Sequence, residues 1–231
     1  VTDSFTITVA NTNDAPTITS TAVTSATEDA AYTYTVTATD VDSGDTITLT
    51  GTTVPGWATF TASTGVLAGI PLNADVGANS VVITVSDGNG GSVTDSFTIT
   101  VANTNDAPTI TSTAVTSVDE DSAYSYTTTA TDVDSGDTVT LTCTTVPSWM
   151  SCTSGAMSGT PANGDVGAHS VVITASDGIA SVTDSFSVTV ANTNDAPTIS
   201  STAVTSVDED SAYSYTITTA DDDSDTITLT G

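Results

Sequence analysis

The sequence has 231 residues and an extreme charge composition: no lysine or arginine, 28 acidic residues and a formal net charge of −28. Phosphate binding depends on Lys and Arg, so this composition excludes nucleic acid and anionic membrane surfaces as partners. No apolar run approaches the ~20 residues of a membrane span, and apolar residues that reach 37% in alternating runs argue against a disordered chain.

An octapeptide, Asn-Thr-Asn-Asp-Ala-Pro-Thr-Ile, occurs three times, beginning at Asn11, Asn103 and Asn192. Successive copies begin 92 and 89 residues apart, a period that fits one small all-β domain per repeat. We therefore predict an all-β chain of tandem Greek-key β-sandwich domains stacked end to end. The predicted boundaries are 1–13 (last strand and linker of a preceding repeat), 14–105, 106–194 and 195–231 (first half of a further repeat).

Residues 1–10 alternate apolar and polar side chains with a period of two, which predicts the last strand of a repeat. In the first whole repeat, the same alternation and the turn residues between runs predict strands at 17–24, 31–39, 45–52, 57–61, 65–69, 79–86 and 92–102. Threonine at nearly every second position favours strands, because its branched Cβ fits a pleated surface. We expect the sequence to be a window on a longer protein.

Trp57 and Trp149 occupy equivalent Val-Pro-x-Trp turns. We predict that each closes one end of a sandwich core rather than stacking on a ligand, because a large aromatic ring stabilises the fold most when it is buried. The single histidine, His169, aligns with Asn79 and is predicted to lie in a loop.

Cys143 and Cys152 occur only in the second repeat, where the first repeat has Gly51 and Phe60. Two cysteines that appear together predict a disulfide formed in an oxidising compartment. Two free buried thiols are the alternative. A metal site is disfavoured because no further soft ligand lies nearby.

Acidic and amide side chains recur at the predicted strand ends of every repeat. They comprise the joint octapeptide, an early Glu, an Asp-x-Asp turn, a late Asp before Gly, and an Asn-x-Asp pair. The candidate metal ligands are Asn11, Asn13, Asp14, Glu28, Asp40, Asp42, Asn73, Asp75, Asp87, Asn103, Asn105, Asp106, Glu120, Asp132, Asp134, Asn163, Asp165, Asp177, Asn192, Asn194, Asp195, Asp221 and Asp223.

In a sandwich the strand ends fall at two poles, so end-to-end stacking is expected to gather many carboxylates around each joint. At the first joint these are Glu28, Asp75, Asp106, Asp132, Asp134 and Asp177. Such a concentration of charge requires a counter-ion. A hard cation with about six to eight oxygen ligands is predicted, which means Ca²⁺ rather than Mg²⁺. For Asp29, Asp45, Asp121 and Asp137, turn formation or simple solvent exposure explains the residue equally well.

The order of these motifs resembles that of the cadherin family and its bacterial cadherin-like relatives. Ser-Val-Asp-Glu120, Asp132-Val-Asp134-Ser-Gly, Ala175-Ser-Asp177-Gly and Asn103-Thr-Asn105-Asp106-Ala-Pro108 stand where that family has its early Glu, its Asp-x-Asp-Ser-Gly turn, its Ala-x-Asp-Gly and its linker. The Val-Pro-x-Trp turn followed by Gly-x-Pro looks more like the dystroglycan-type cadherin-like or Putative Ig modules of bacterial and archaeal surface adhesins. The resemblance implies calcium at the joints. Asn in place of the linker's first Asp, and Ala107 in place of its second Asn, imply fewer or weaker ions than at a full cadherin joint.

Catalysis is not expected, because no Lys or Arg can stabilise an oxyanion or clamp a phosphate and every carboxylate pair repeats at a joint. We predict an extracellular structural rod, filament or stalk of a cell-surface protein, stiffened by calcium and supporting adhesion. Its expected partners are the neighbouring repeats of the same protein and like chains in a filament. Two alternatives remain open: an adhesive binding module for carbohydrate or protein ligands, and a self-assembling filament subunit that uses strand complementation.

Overall fold

The alternation of apolar residues with threonine produces short strands, most of them paired antiparallel. The structure is a computed structural model that describes residues 1–231 and separates them into two units, Val1–Asn105 and Asp106–Gly231. The only helical elements are two short 3-10 turns, Asn73–Asp75 and Asn163–Asp165. No helix has the length and apolar character needed to cross a membrane.

The first unit contains nine strands. They are β1 (Thr17–Ile18), β2 (Ser25–Thr27), β3 (Tyr32–Thr35), β4 (Ala38–Thr39), β5 (Thr48–Thr53), β6 (Ala58–Thr61), β7 (Val66–Gly69), β8 (Gly77–Ser86) and β9 (Ser92–Ala102). A four-stranded sheet has the order β2-β9-β8-β5, a three-stranded sheet has the order β3-β7-β6, and β1 pairs with β4. All pairs are antiparallel except β2 with β9.

The core of this unit lies between the two larger sheets and is built from alternate residues of each strand. Tyr32 and Tyr34 of β3 and Leu67 of β7 pack in one cluster with the buried residues of β8 and β9. Trp57 packs edge-on against Tyr32, with ring centroids 5.6 Å apart. Burial, and secondarily the neighbouring Tyr34, raise the pKa of Tyr32 to about 12. Trp57 therefore packs against the core, as predicted.

The second unit repeats this arrangement. Its strands are β10 (Thr109–Ile110), β11 (Ser117–Asp119), β12 (Tyr124–Thr127), β13 (Ala130–Thr131), β14 (Thr140–Thr145), β15 (Met150–Thr153), β16 (Ala156–Gly159), β17 (Gly167–Ser176) and β18 (Ser181–Ala191), followed by β19 (Thr198–Ile199) and β20 (Thr219–Ala220). The sheet orders are β11-β18-β17-β14 and β12-β16-β15, with β10 paired to β13 and β19 paired to β20. The recurrence of one topology matches the recurrence of the sequence.

Four local predictions are wrong. Residues 1–10 form no strand, although their sequence is identical to residues 93–102, because they lack the partner that β8 provides to β9. Of the predicted strand at 17–24, only Thr17–Ile18 is a strand (β1), and the next strand, β2, begins at Ser25 and joins the other sheet beside β9. The predicted strand at 31–39 is instead two short strands, since β3 pairs with β7 and β4 pairs with β1. His169 lies in β17, not in a loop, because the long β17–β18 hairpin extends past it.

Candidate metal centres at the joint segments

The joint octapeptide places an Asp against the Asp-x-Asp turn in the same way in all three repeats. The backbone amide of Asp14 donates to Asp42 Oδ2 at 2.6 Å, and that of Asp106 donates to Asp134 Oδ2 at 2.7 Å. The amide of Asp195 makes the equivalent hydrogen bond to Asp223 Oδ2. Each copy of the octapeptide is therefore held by the Asp-x-Asp turn whose second Asp lies 28 residues after the octapeptide's own Asp.

The Asp-x-Asp turn is ordered by its own first carboxylate. Asp40 Oδ1 accepts a hydrogen bond from the amide of Asp42 at 2.8 Å, and Asp132 Oδ1 accepts one from the amide of Asp134 at 2.9 Å. This is a local Asx turn. The other oxygens, Asp40 Oδ2 and Asp132 Oδ2, are buried and have no hydrogen-bond partner among the protein groups. Each turn therefore presents a desolvated carboxylate oxygen to its surroundings.

A third acid joins each turn, although the sequence pattern did not single it out as a ligand. Carboxylate oxygens within 4.8 Å of one another define the clusters Asp40–Asp42–Asp45, Asp132–Asp134–Asp137 and Asp221–Asp223–Asp225. Asp45 Oδ2 is also buried and without a partner. The available signal was the recurrence of an acidic residue shortly after every Asp-x-Asp pair, which turn chemistry explained equally well.

The early Glu of the second repeat forms the most enclosed carboxylate of a further cluster. Glu120 is only 1% exposed, and its Oε1 accepts a hydrogen bond from the amide of Thr193 at 2.5 Å. Its second oxygen, Oε2, is buried and has no partner among the protein groups. Glu120, Asp195 and Asp223 bring carboxylate oxygens within 4.8 Å of one another. Glu28 is placed similarly in the first unit, where its Oε2 accepts from the amide of Thr104 at 3.1 Å.

Asparagine amides face several of these carboxylates. Asn11 Nδ2 donates to Asp42 Oδ1 at 2.8 Å, and Asn163 Nδ2 donates to Asp223 Oδ1 at 3.2 Å. The amide group of an Asn has a carbonyl oxygen beside its NH₂ group. A rotation of the amide would therefore exchange a hydrogen-bond donor for an oxygen ligand at the same place.

Two other predicted groups have a structural use. Asp87 is 1% exposed and accepts hydrogen bonds from Asn13 Nδ2 at 2.9 Å and from the amides of Asn89 and Gly91. The Asn13 bond is the largest cause that lowers the pKa of Asp87, and the turn amides add to it. Asp177 likewise accepts from the amides that follow it, those of Ile179 and Ala180.

The Asn-x-Asp pairs form the 3-10 turns. Asp75 Oδ2 accepts from the amide of Leu72 at 2.9 Å, and Asp165 Oδ2 accepts from the amide of Ala162 at 3.0 Å. Neither Asp joins a cluster of three carboxylates. In the octapeptides, Asn103 and Asn192 are exposed, Asn105 is half-buried, and Asn194 Nδ2 donates to the backbone oxygen of Asp195. The structure thus brings Glu120 together with the joint Asp195 and with Asp223 of the following Asp-x-Asp turn, whereas Asp75 and Asp165 accept hydrogen bonds within their own 3-10 turns.

Burial, and then repulsion between neighbouring carboxylates, raise the pKa of two acids in these clusters. Burial, followed by the charges of Asp223, Asp121 and Glu120, raises the pKa of Asp195. Desolvation and the neighbouring carboxylates of Asp134 and Asp132 raise the pKa of Asp137 in the same direction. An acid whose pKa is higher in the folded state stabilises the fold when it is protonated, and this stabilisation is lost as pH rises through the folded pKa.

We therefore expect the melting temperature of the protein in a chelator to rise as the pH is lowered from neutral into the range of these raised pKa values. At more acidic pH it should fall, because Asp87 has the opposite shift and its stabilising contribution disappears as pH drops through its lowered pKa. Calorimetric melting across this range measures both the rise and the fall of the melting temperature. Asp195→Asn should reduce the rise of the melting temperature that follows the first lowering of pH. A melting temperature that falls steadily as the pH is lowered from neutral would contradict the prediction.

Cys143 and Cys152 are disulfide-bonded, with their Cα atoms 6.3 Å apart. Cys143 lies in β14 and Cys152 in β15, which are edge strands of the two different sheets of the second sandwich. The bond therefore joins the sheets along one side. In the first repeat the same place is filled by Phe60. A Cβ added to Gly51 would lie 2.8 Å from Val54 and 3.1 Å from the Phe60 ring.

A family model described as Putative Ig domain (He_PIG) matches residues 15–102 and 107–191. Among solved structures, the protocadherin gamma B4 extracellular domain is 20% identical over 93% of this protein and 39% of its own length, with a TM-score of 0.56. The extracellular cadherin domains 1–5 of protocadherin gamma B2 are 20% identical over 80% of this protein and 41% of their own length, with a TM-score of 0.54. At these identities the similarity shows the fold alone.

An endo-fucoidan hydrolase, MfFcnA4 from glycoside hydrolase family 107, is 30% identical over 78% of this protein. The match spans only 29% of the length of that enzyme, and the TM-score of 0.37 is too low to bear on catalysis. No curated protein matches the sequence.

Proposed function

Because the protein belongs to the Putative Ig domain family through two tandem copies, we propose that it is a segment of an extracellular, non-catalytic tandem-repeat protein whose joints are stiffened by bound Ca²⁺. In this role the repeats act as a spacer that supports adhesion at a cell surface. The partners of each repeat are the adjoining repeats of the same protein and like chains in a filament. The cadherin extracellular domains among the solved structures support the architecture.

The observation that carries the proposal is the environment of Glu120. A carboxylate that is 1% exposed and has an unpartnered oxygen is costly unless a positive charge is present. The sequence has no Lys or Arg to supply that charge. The other members of the cluster, Asp195 and Asp223, are also acids and worsen the repulsion. A cation from solution can supply the positive charge that the side chains of the protein do not.

The donor set selects the cation. Every candidate ligand of this cluster is an oxygen atom, from Glu120, Asp195 and Asp223, and Asn163 can contribute its amide oxygen. Carboxylate and carbonyl oxygens suit hard cations, and Ca²⁺ tolerates the high coordination number and irregular geometry of such a site better than Mg²⁺ does. The site contains no Cys or His that would favour zinc or copper.

The mechanism follows from the origin of the ligands. Glu120 belongs to the body of the second repeat, Asp195 belongs to the joint octapeptide, and Asp223 belongs to the Asp-x-Asp turn that follows. A cation bound to all three would cross-link these segments and remove their mutual repulsion. Without it, like charges separate the segments and the joint bends more freely. Calcium thereby converts a flexible tandem array into a stiff one.

Small-angle scattering at increasing Ca²⁺ concentration tests this mechanism. We expect the maximum particle dimension to increase and the distribution of distances to narrow with Ca²⁺, with a smaller response to Mg²⁺. Asp132→Ala combined with Asp134→Ala removes two carboxylates from a joint cluster and should reduce the response. Scattering curves that superimpose with and without millimolar Ca²⁺ would reject stiffening, and a search for a carbohydrate or protein ligand would then be justified.

A further inference from the structure

Two Asn-Gly pairs occur in the sequence, Asn89-Gly90 and Asn163-Gly164, and both place the Asn amide against an acidic cluster. Asn89 Nδ2 donates to Asp45 Oδ1 at 2.6 Å, and Asn163 Nδ2 donates to Asp223 Oδ1 at 3.2 Å. Asp45 and Asp223 each belong to a cluster of three acids. We propose that Asn89 and Asn163 are sites of spontaneous deamidation, and that the reaction adds a carboxylate to each cluster.

The chemistry needs only water. The backbone nitrogen of the glycine attacks Cγ of the asparagine and loses its proton, the Cγ–Nδ2 bond breaks, and ammonia leaves. The resulting five-membered succinimide is opened by water at either carbonyl, which gives aspartate or isoaspartate. Glycine favours the attack because it has no side chain to shield the nitrogen and its backbone reaches the required conformation easily.

The surroundings of both glycines leave room for the reaction. A Cβ placed on Gly90 or on Gly164 would meet no atom within 4 Å. Asn89 is exposed in the turn that joins β8 to β9. At Asn163 the hydrogen bonds of the 3-10 turn come from the amides of Asp165 and Val166, so the turn does not depend on the amide of Gly164.

The backbone conformation at position 164 does not require glycine. Its backbone does not have the positive φ that favours glycine, whereas Gly90 has a φ of 111°. The first repeat has Ala74 at the equivalent position, after Asn73 in the same 3-10 turn. Asn73-Ala74 is thus a natural control for Asn163-Gly164 within one molecule. The second repeat supplies the reverse control for Asn89, because the turn there contains Ile179 and no asparagine.

Deamidation changes the interaction at each contact from attraction to repulsion. An amide that donates a hydrogen bond to Asp45 or Asp223 becomes a carboxylate that repels it. In the first cluster the new charge lies beside Asp40 and Asp45, which each already have a buried oxygen without a partner. Deamidation is therefore expected to lower the melting temperature of the protein in a chelator. Neither this effect nor the reaction itself depends on the proposed binding of calcium.

The test is to incubate the purified protein in a chelator at mildly alkaline pH and to follow each asparagine by peptide mass mapping after chymotrypsin digestion, since trypsin has no cleavage site here. Methylation by an isoaspartate-specific methyltransferase identifies the second product. We expect Asn89 and Asn163 to convert at least about tenfold faster than Asn73, because only they precede glycine. Gly164→Ala should slow Asn163 to the rate of Asn73 and leave Asn89 unchanged.

Conversion of Asn163 no faster than that of Asn73, or an unchanged rate in Gly164→Ala, would overturn the proposal at that site. Conversion of Asn89 no faster than that of Asn73 would overturn it at the other. The charge effect has a separate readout, because Asn89→Asp and Asn163→Asp mimic one product of the reaction. Both variants should melt at a lower temperature than the unsubstituted protein in a chelator, and equal melting temperatures would show that the added carboxylates do not act on the clusters.

Discussion

Glu120→Gln is expected to remove most of the Ca²⁺-induced rise in melting temperature and, in a chelator, to make the protein more stable. Glutamine has the same shape as glutamate and keeps an oxygen that can accept the hydrogen bond from the Thr193 amide. Its NH₂ group replaces the buried and unpartnered Oε2. One substitution therefore removes a ligand charge and puts a hydrogen-bond donor, in place of an unpartnered acceptor, in a cluster whose other members are the carboxylates of Asp195 and Asp223.

Glu120→Gln is expected to raise stability in a chelator and to reduce the stabilisation by Ca²⁺, because the same charge is unfavourable without the ion and favourable with it. In the absence of a cation, the Glu120 charge is unpaired and adds to the burial and the Asp223 charge that raise the pKa of Asp195, so its removal relieves repulsion. In the presence of Ca²⁺, the same charge attracts the ion. Ligand binding at a hundredfold excess over Kd stabilises a fold by about 2.7 kcal/mol. Loss of a charged ligand is expected to weaken binding on the order of tenfold or more, because affinity at such sites follows the number of ligand charges.

Calorimetric melting with and without Ca²⁺ measures both effects. Asp119→Asn is the matched control, because it removes one charge from the adjacent residue, which is exposed and belongs to no acidic cluster. It should leave the response to Ca²⁺ intact. If both variants respond to Ca²⁺ as strongly as the unsubstituted protein, the Glu120 cluster is not a calcium site.

Removal of the disulfide is expected to lower the free energy of unfolding of the second repeat by roughly 2–3 kcal/mol, the chain-entropy estimate for so short a loop. Cys143 and Cys152 connect edge strands of opposite sheets, so the bond resists separation of the sandwich on that side. The expected result applies to Cys143→Ser combined with Cys152→Ser. Denaturant unfolding under non-reducing conditions provides the measurement.

The first repeat supplies the matched variant. Gly51 leaves space that the Phe60 ring fills, and Phe60 packs against the core of its unit as Cys152 does in the second. Cys143→Gly combined with Cys152→Phe should therefore recover part of the stability that the serine pair loses, through apolar packing instead of a covalent bond. A serine variant as stable as the disulfide-bonded protein would show that the bond contributes nothing to folding stability.

Much of the fold could be predicted from the sequence because the repeat and the period-two alternation are both strong signals. The long hairpins β8–β9 and β17–β18 follow directly from uninterrupted alternation at 79–86 and 92–102 and its copy. Pairing partners were harder to predict. The identical sequences 1–10 and 93–102 show why, since only the second forms a strand. Strand formation there depends on a hydrogen-bonding neighbour that the local sequence does not specify.

Some features of the candidate sites could likewise be predicted from the sequence, and others could not. The grouping of the joint Asp with the Asp-x-Asp turn was predictable because their separation is constant, and the same backbone hydrogen bond forms in all three repeats. The participation of Asp45 was not predictable, since an acid after Ser-Gly is also a common turn former. The capping of the 3-10 turns by Asp75 and Asp165 depends on side-chain direction, which an Asn-x-Asp pattern does not reveal.

The most direct test of calcium binding at the joints is a calorimetric titration of the chelator-treated protein with Ca²⁺. We expect saturable binding that Glu120→Gln weakens and Asp119→Asn does not, with Mg²⁺ competing poorly. Heat changes that show no saturable binding at millimolar Ca²⁺ would contradict calcium stiffening. The 28 acids would then be a solvated, repulsive surface, and the buried Oε2 of Glu120 would have to be protonated or hydrated to be tolerated.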